Sequence, residues 1–131
     1  MNVDRLVDTE FLIDRWRNGE SSDAWAYARA HRDDSLAIPW IVKGEFLHAA
    51  GIVGQHSPRV VEFLARYPTH WPDEELLAGY ARLNVLLGRG GLSLRANDLW
   101  IAASALRLDV PLVTRNTGEF GRVPGIKLDP Y

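Results

Sequence analysis

The chain has 131 residues, 47% of them hydrophobic, which is enough for one compact domain to bury a core without metal or disulfide staples. It contains no cysteine, which excludes a disulfide framework, a zinc ribbon, a thiol nucleophile and an iron–sulfur cluster. The formal net charge of −2 gives no overall attraction to nucleic acid, so any phosphate binding must depend on local clusters of arginine.

The first residues carry neither a basic region nor an apolar run of the kind that makes a signal peptide. No later stretch of the sequence reaches the length of a membrane-spanning helix. We therefore predict a single domain, residues 1–131, of a soluble cytoplasmic protein with no membrane partner.

The first elements are a short strand and two helices. Residues 6–9 begin as an apolar strand, and residues 9–16 then carry apolar side chains at helical spacing. Ser21 or Ser22 is placed to cap a second helix through residues 24–28. A strand therefore runs directly into a helix at the start of the chain.

The middle of the chain predicts a strand over residues 36–38 and a third helix from Trp40 to about Val53. Pro58 opens a fourth helix over residues 59–67. The apolar face of this fourth helix is predicted to consist of Val60, Val61, Phe63 and Leu64.

In the C-terminal half, the acidic residues 73–75 resemble the first turn of a helix that continues to Leu86. Ser93 is a candidate cap for the next helix, whose residues 99–108 are apolar on nearly all sides and so predict a buried helix. A strand over residues 110–114, a turn at 116–118 and a last strand at 126–128 follow. Strands that alternate with helices predict a mostly parallel sheet covered on both faces.

Two polar residues occur where predicted strands end, which is the edge of a parallel sheet that binds ligands. Asp8 lies between the first strand and the first helix, where a helix N-cap is the more common role and a functional site the alternative. Asn116 follows the strand at 110–114, where a turn-forming asparagine is the ordinary expectation. Glu119 is expected to be exposed.

Two further acids lie on predicted helices. Glu45 lies beside an apolar stripe, and either reaches solvent or needs a partner. Asp98 begins an otherwise apolar helix, where pairing with the helix dipole and a role in a site are equally good interpretations. Asp8, Glu45, Asp98 and Asn116 are thus predicted to converge at one edge of the sheet. Clustered carboxylates without cysteine or histidine suit Mg²⁺ or Mn²⁺ rather than zinc.

Four parts of the sequence resemble the PIN-domain family, and VapC toxins in particular: residues 6–13, Glu45, residues 97–105 and residues 112–120. The resemblance covers the whole chain in order. It implies a three-layer α/β/α PIN-like domain with a mostly parallel central sheet. It also implies a Mg²⁺-dependent endoribonuclease that is the toxin of a VapBC-type toxin–antitoxin system.

In the proteins that this sequence resembles, the acids matching Asp8, Glu45 and Asp98 surround one or two Mg²⁺ ions, for which Mn²⁺ can substitute. A fourth acid, often aspartate, corresponds to the position of Asn116. Thr114 matches a hydroxyl position that supports the site, and Arg115 is a candidate for a supporting or substrate contact. The implied reaction is in-line hydrolysis of an RNA phosphodiester bond.

The resemblance further implies a homodimer and a small VapB-like antitoxin, in a heterotetramer or a larger assembly. Trp16, Trp25 and Tyr27 are candidate contacts for that antitoxin, because exposed aromatic residues anchor interfaces, although core packing explains them equally well. The alternative function is a catalytically silent PIN-like module that only binds RNA or protein. Asn116 is one sign of such decay, whereas the presence of all three core acids argues against it.

Overall fold

The computed structural model of the chain describes residues 1–50 and 57–131. Its described strands are β1 (Arg5–Val7), β2 (Leu36–Pro39), β3 (Thr69–His70), β4 (Leu112–Val113) and β5 (Leu128–Asp129). They form one sheet in the order β3-β2-β1-β4-β5, and every pairing is parallel. The predicted α/β class with a parallel central sheet is confirmed, and β1 is the central strand.

Helices occupy most of the chain between the strands. The described helices are α1 (Thr9–Asn18), α2 (Asp23–Ala30), α3 (Trp40–Ala49), α4 (Pro58–Leu64), α5 (Glu74–Arg89), α6 (Ala96–Leu108) and α7 (Thr117–Phe120). α1 contacts α2 and α3, and α6 contacts both α5 and α3. None of the described helices combines the length and hydropathy needed to cross a membrane.

Side-chain caps define where several helices begin. Asp8, Ser22 and Asp73 each accept a hydrogen bond from the backbone N–H three residues further on, at the start of α1, α2 and α5. Of the two predicted serine caps, Ser22 is therefore the one used. The prediction for Ser93 is wrong, because α6 begins at Ala96 and Arg95 occupies its N-cap position.

Other predicted boundaries also shift. α4 ends at Leu64 rather than at residue 67, because the backbone N–H groups of Arg66 and Tyr67 bond to carbonyls three residues earlier, in turns that do not continue the α-helix. The predicted turn at 116–118 is the start of α7, and the last strand lies at Leu128–Asp129 rather than 126–128. β3 was not predicted. The predicted end of the third helix near Val53 lies outside the described residues.

Apolar side chains from strands and helices form one buried core. Its largest fully buried members include Phe11, Phe46, Phe120, Leu6, Leu12 and Ile38. α6 contributes Leu99 and most of residues 101–105, as predicted for a helix buried between layers. The core therefore links β1, which ends just before Asp8, to the helices that surround it.

The two valines at the start of α4 have opposite environments. Val60 is 1% exposed, whereas Val61 is 57% exposed, so the prediction that Val61 belongs to the apolar face is wrong. Only one side of this short helix packs against the core, and adjacent helical residues point about 100° apart.

We expect Val60→Ala to lower the free energy of unfolding by about 2 kcal/mol, because it removes two buried methyl groups and leaves a cavity. The matched change Val61→Ala removes the same atoms from an exposed site, and its effect should stay within about 0.5 kcal/mol. Urea unfolding followed by circular dichroism measures both. Equal losses in the two variants would contradict the burial described for α4.

Candidate active site

A pocket of about 500 Å³ opens where β1 and β4 end. The four residues predicted to converge, Asp8, Glu45, Asp98 and Asn116, all line it. The structure thus brings together side chains from four separate parts of the sequence. Further charged side chains in the lining are Glu10, Glu119, Arg95 and Arg115.

Asp8 is the N-cap of α1 and also lines the pocket, so capping does not exclude a place in the pocket. It is 4% exposed, and its Oδ1 accepts a hydrogen bond from the backbone N–H of Phe11 at 3.0 Å. Its Oδ2 accepts one from the hydroxyl of Thr114 at 2.6 Å. The Thr114 oxygen accepts in turn from the backbone N–H of Asn116 at 3.0 Å. Thr114 therefore ties the end of β4 to the end of β1.

Two neighbours of the other acids hold Glu45. The hydroxyl of Thr9 donates to Glu45 Oε1 at 2.7 Å, and the amide of Asn97 donates to Oε2 at 3.2 Å. Thr9 directly follows Asp8 and Asn97 directly precedes Asp98. Asp8 and Asp98 are therefore each adjacent in sequence to a donor that orients Glu45. The sequence analysis did not assign this role to Thr9 or Asn97.

Glu119 is a pocket residue that the sequence analysis missed. It was expected to be exposed, but it is partly buried in the pocket lining, where its Oε2 accepts a hydrogen bond from Asn116 Nδ2 at 3.1 Å. The reason is the helical turn of α7, which folds residue 119 back over residue 116, three positions earlier.

Arg115 lies at the rim of the pocket with its charge already paired. Its guanidinium contacts Asp23 at 2.7 Å and Asp14 at 3.3 Å, and its central carbon lies 4.6 Å from the centre of the Tyr131 ring. Arg95 also lines the pocket but forms no salt bridge within the described residues. The pocket therefore retains a strong excess of negative charge.

Burial, with a smaller contribution from neighbouring charges, shifts the pKa of two acids in the pocket. Burial raises the pKa of Asp8 to about 6, against the opposing hydrogen bonds from Thr114 and Phe11. Burial also raises the pKa of Asp98, and the charge of Glu45 adds to the effect. Both acids are therefore held in a setting that disfavours their ionised form unless a cation compensates.

The donor set of the pocket fits a divalent cation. Its carboxylates and one amide are oxygen ligands, which suit Mg²⁺ or Mn²⁺. Across residues 1–50 and 57–131, no three acidic or histidine side chains are already spaced as ligands of one ion. Mg²⁺ commonly keeps several waters and takes only one or two carboxylates directly, so the residues present are sufficient.

Of the three aromatic residues considered as antitoxin contacts, Tyr27 is excluded. It is 8% exposed, and its hydroxyl donates a hydrogen bond to Asp129 inside the fold. Trp16 is partly buried and packs edge-on against Phe46. Trp25 is also partly buried, so neither tryptophan is fully covered by the core.

Comparison with known proteins places these features in a family. The family model described as PIN domain matches residues 5–126. A protein called "Ribonuclease VapC1" from Haemophilus influenzae (strain R2866) is 29% identical over 125 residues, which cover 93% of each chain. The counterpart from the strain ATCC 51907 / DSM 11121 / KW20 / Rd is 28% identical over 125 residues, again 93% of each chain.

Solved structures share the fold. A VapBC-1 structure from nontypeable Haemophilus influenzae matches with a TM-score of 0.79 and 27% identity, over 96% of both chains. A structure of VapBC2 from Rickettsia felis, bound to a DNA fragment from the promoter, matches with a TM-score of 0.83 and 23% identity. That match covers 97% of this chain and 98% of the other.

We expect Asp8→Asn to raise the free energy of unfolding at pH 7 in metal-free buffer, relative to the unmodified protein, and to lose this advantage by about pH 4. The unfolded chain releases the Asp8 proton near its ordinary pKa, whereas the folded protein retains it up to about pH 6. The stability of the unmodified protein therefore falls between these pH values, by at most about 3 kcal/mol. Asparagine has the shape of aspartate and removes the charge.

Urea unfolding at several pH values, in the presence of EDTA, measures this difference. Asp33→Asn is the matched control, because Asp33 is exposed and lies outside the pocket. A stability difference between Asp8→Asn and the unmodified protein that does not change with pH would show that Asp8 is ordinarily solvated.

Proposed function

Because the chain belongs to the PIN-domain family, we propose that it is a Mg²⁺-dependent endoribonuclease that hydrolyses phosphodiester bonds of RNA. The observation that carries the proposal is the convergence of Asp8, Glu45 and Asp98 on one pocket with an uncompensated negative charge. The word ribonuclease in the name of the Haemophilus influenzae relatives supports the reaction class.

Asp8 and Asp98 would be the principal ligands of the ion, and Glu45 would hold it directly or through a bound water, with Mn²⁺ able to replace Mg²⁺. When bound, the ion supplies Lewis acidity that activates water and stabilises charge on the phosphoryl oxygens. The hydroxyl of Thr114 keeps Asp8 in place, and the donors on Thr9 and Asn97 fix both oxygens of Glu45. These contacts preorganise the ligands, since positioned groups need little rearrangement during the reaction.

The remaining pocket residues would contact the RNA substrate or support those contacts. Arg95 lies beside the acids without a salt bridge among the described residues and is placed to contact phosphates of the RNA backbone. Arg115, which is paired with Asp14 and Asp23, supports the rim of the pocket. Asn116 would contact water or the substrate through its amide. Glu119, which accepts a hydrogen bond from Asn116, brings a carboxylate to the corner where the family resemblance leads us to expect a fourth acid.

We expect Asp98→Asn to reduce Mg²⁺-dependent cleavage of RNA by more than about 100-fold, the scale of losing one group that stabilises charge in a transition state. Asp33→Asn changes the net charge equally at an exposed site and should retain full activity. The measurement is cleavage of mixed cellular RNA by purified protein, with Mg²⁺, Mn²⁺ or EDTA. RNA binding without cleavage by the unmodified protein would favour the alternative, a catalytically silent module.

The partners of the proposed toxin are a small VapB-like antitoxin and a second copy of the chain, in a heterotetramer or larger assembly. The antitoxin is suggested by solved VapBC structures of the same fold. A small protein that co-purifies with this chain and suppresses its RNA cleavage would bear the proposal out. Self-association is suggested by exposed apolar side chains on α5, including Leu77, Val85 and Leu86.

We expect the purified chain to sediment as a homodimer and Leu86→Glu to sediment as a monomer. Leu86 is 50% exposed and lines the groove of about 680 Å³ between α5 and α6, so a charge there opposes burial against a partner. Val61→Glu places the same charge at a comparably exposed position on α4 and should remain dimeric. Sedimentation velocity distinguishes the species, and a monomeric unmodified chain would refute the homodimer.

A further inference from the structure

Three arginines meet between α1 and α4, at the end of α1 remote from Asp8. Arg15, Arg59 and Arg66 line a pocket of about 240 Å³, together with Trp16, Phe63 and Glu62. None of the three arginines forms a salt bridge within residues 1–50 and 57–131. Three positive charges thus share this arginine pocket with one negative charge.

The details of the arginine pocket point to an anion. The Nε atom of Arg15 is buried and has no hydrogen-bond acceptor, which is uncommon for a buried donor. The guanidinium carbon of Arg59 lies 5.3 Å from the centre of the Trp16 ring, a stacking contact that orients its planar fork. Arg59 and Arg66 are both exposed and therefore accessible to a ligand. A planar guanidinium matches the oxygens of a phosphate.

We propose that the arginine pocket binds a backbone phosphate of the RNA substrate, a few nucleotides away from the bond that is cut. This inference rests on the ribonuclease function proposed above. Asp8 and Arg15 are seven residues apart, about 10 Å along the axis of α1. This separation is short enough for neighbouring phosphates of one RNA strand to reach both pockets.

A continuous side of α1 joins the two pockets. Thr9, Ile13 and Trp16 follow one another at spacings of four and three residues, so they share a helix face. Thr9 lines the acidic pocket, Thr9 and Ile13 line the adjoining groove between α1 and α3, and Trp16 lines the arginine pocket. A strand that leaves the acidic pocket along this face reaches the three arginines.

Charge balance favours RNA as the occupant. The acidic pocket and the net charge of −2 oppose the approach of a polyanion, so binding needs unpaired cations elsewhere on the path. Arg115, at the rim of the acidic pocket, is already paired with Asp14 and Asp23. The arginine pocket supplies three positive charges against the single carboxylate of Glu62. An acidic segment of a protein partner would match the same charges, and the experiment separates the two.

The test measures binding of a fluorescein-labelled single-stranded RNA, by fluorescence anisotropy, to protein that carries Asp98→Asn to prevent cleavage. The double variant Arg59→Ala, Arg66→Ala in this background should bind at least several-fold more weakly. The slope of log K against log salt concentration should become shallower by about 0.7, the value for one phosphate contact on a single strand. Glu62→Gln should have the opposite effect and strengthen binding, since it removes the one negative charge of the pocket.

Arg29→Ala is the matched control. Arg29 is exposed and stacks on Trp25 with the same 5.3 Å separation as Arg59 and Trp16, but it belongs to no arginine cluster in the described pockets. Arg29→Ala gives the change in affinity and salt slope that follows the loss of one exposed arginine. If the double variant changes both quantities by only twice that amount, the inference is overturned. Unchanged RNA binding in the double variant would do the same and would assign the pocket to another ligand.

The experiments distinguish failure of the proposed phosphate site from failure of the proposed ribonuclease function. If the unmodified protein cleaves RNA but the arginine variants bind it normally, only the phosphate site fails. If the unmodified protein cleaves no RNA with Mg²⁺ or Mn²⁺, the ribonuclease function itself fails. Melting temperatures of the variants should equal that of the parent protein, because Arg59 and Arg66 are exposed.

Discussion

The hydrogen bond from Thr114 to Asp8 is the interaction on which the site depends. It joins the ends of β1 and β4, which are adjacent in the sheet although 106 residues separate the two side chains in sequence. Both side chains are buried, so water does not compete for the contact. The parallel sheet creates this adjacency, because it places the carboxyl ends of neighbouring strands at one edge. The acidic pocket forms at that edge.

Clustering acids at one edge destabilises the folded chain, and hydrogen bonds from the surrounding residues offset only part of this destabilisation. The pKa of Asp8 and that of Asp98 are raised, chiefly by burial, which shows that the negative charges are poorly solvated. Hydrogen bonds from Thr9 and Asn97 orient Glu45 but are neutral and cannot balance its charge. The clustered acids thus lower the local stability but hold several oxygen atoms in a fixed arrangement, as is common at functional sites.

The sequence predicted the class of fold and the convergence of the acids because both depend on regular patterns. Apolar strands alternate with helices, and Asp8 and Asn116 follow strand ends. The errors fall where local pattern carries little information. β3 has only two residues, and the inward turn of Glu119 depends on a four-residue helix. Val61 looked apolar and helical, yet its side of α4 meets no core. Tertiary contacts decided these cases.

The sequence separation between Asp8 and Thr114 also bears on when the pocket can form during synthesis of the chain. A ribosome delivers the N-terminal residues first, and domains fold as their parts emerge. A nascent chain that still lacks β4 has α1 and Asp8 but neither Thr114 nor Asn116, and it cannot complete the pocket. The full set of pocket residues can therefore assemble only after β4 and α7 have left the ribosome.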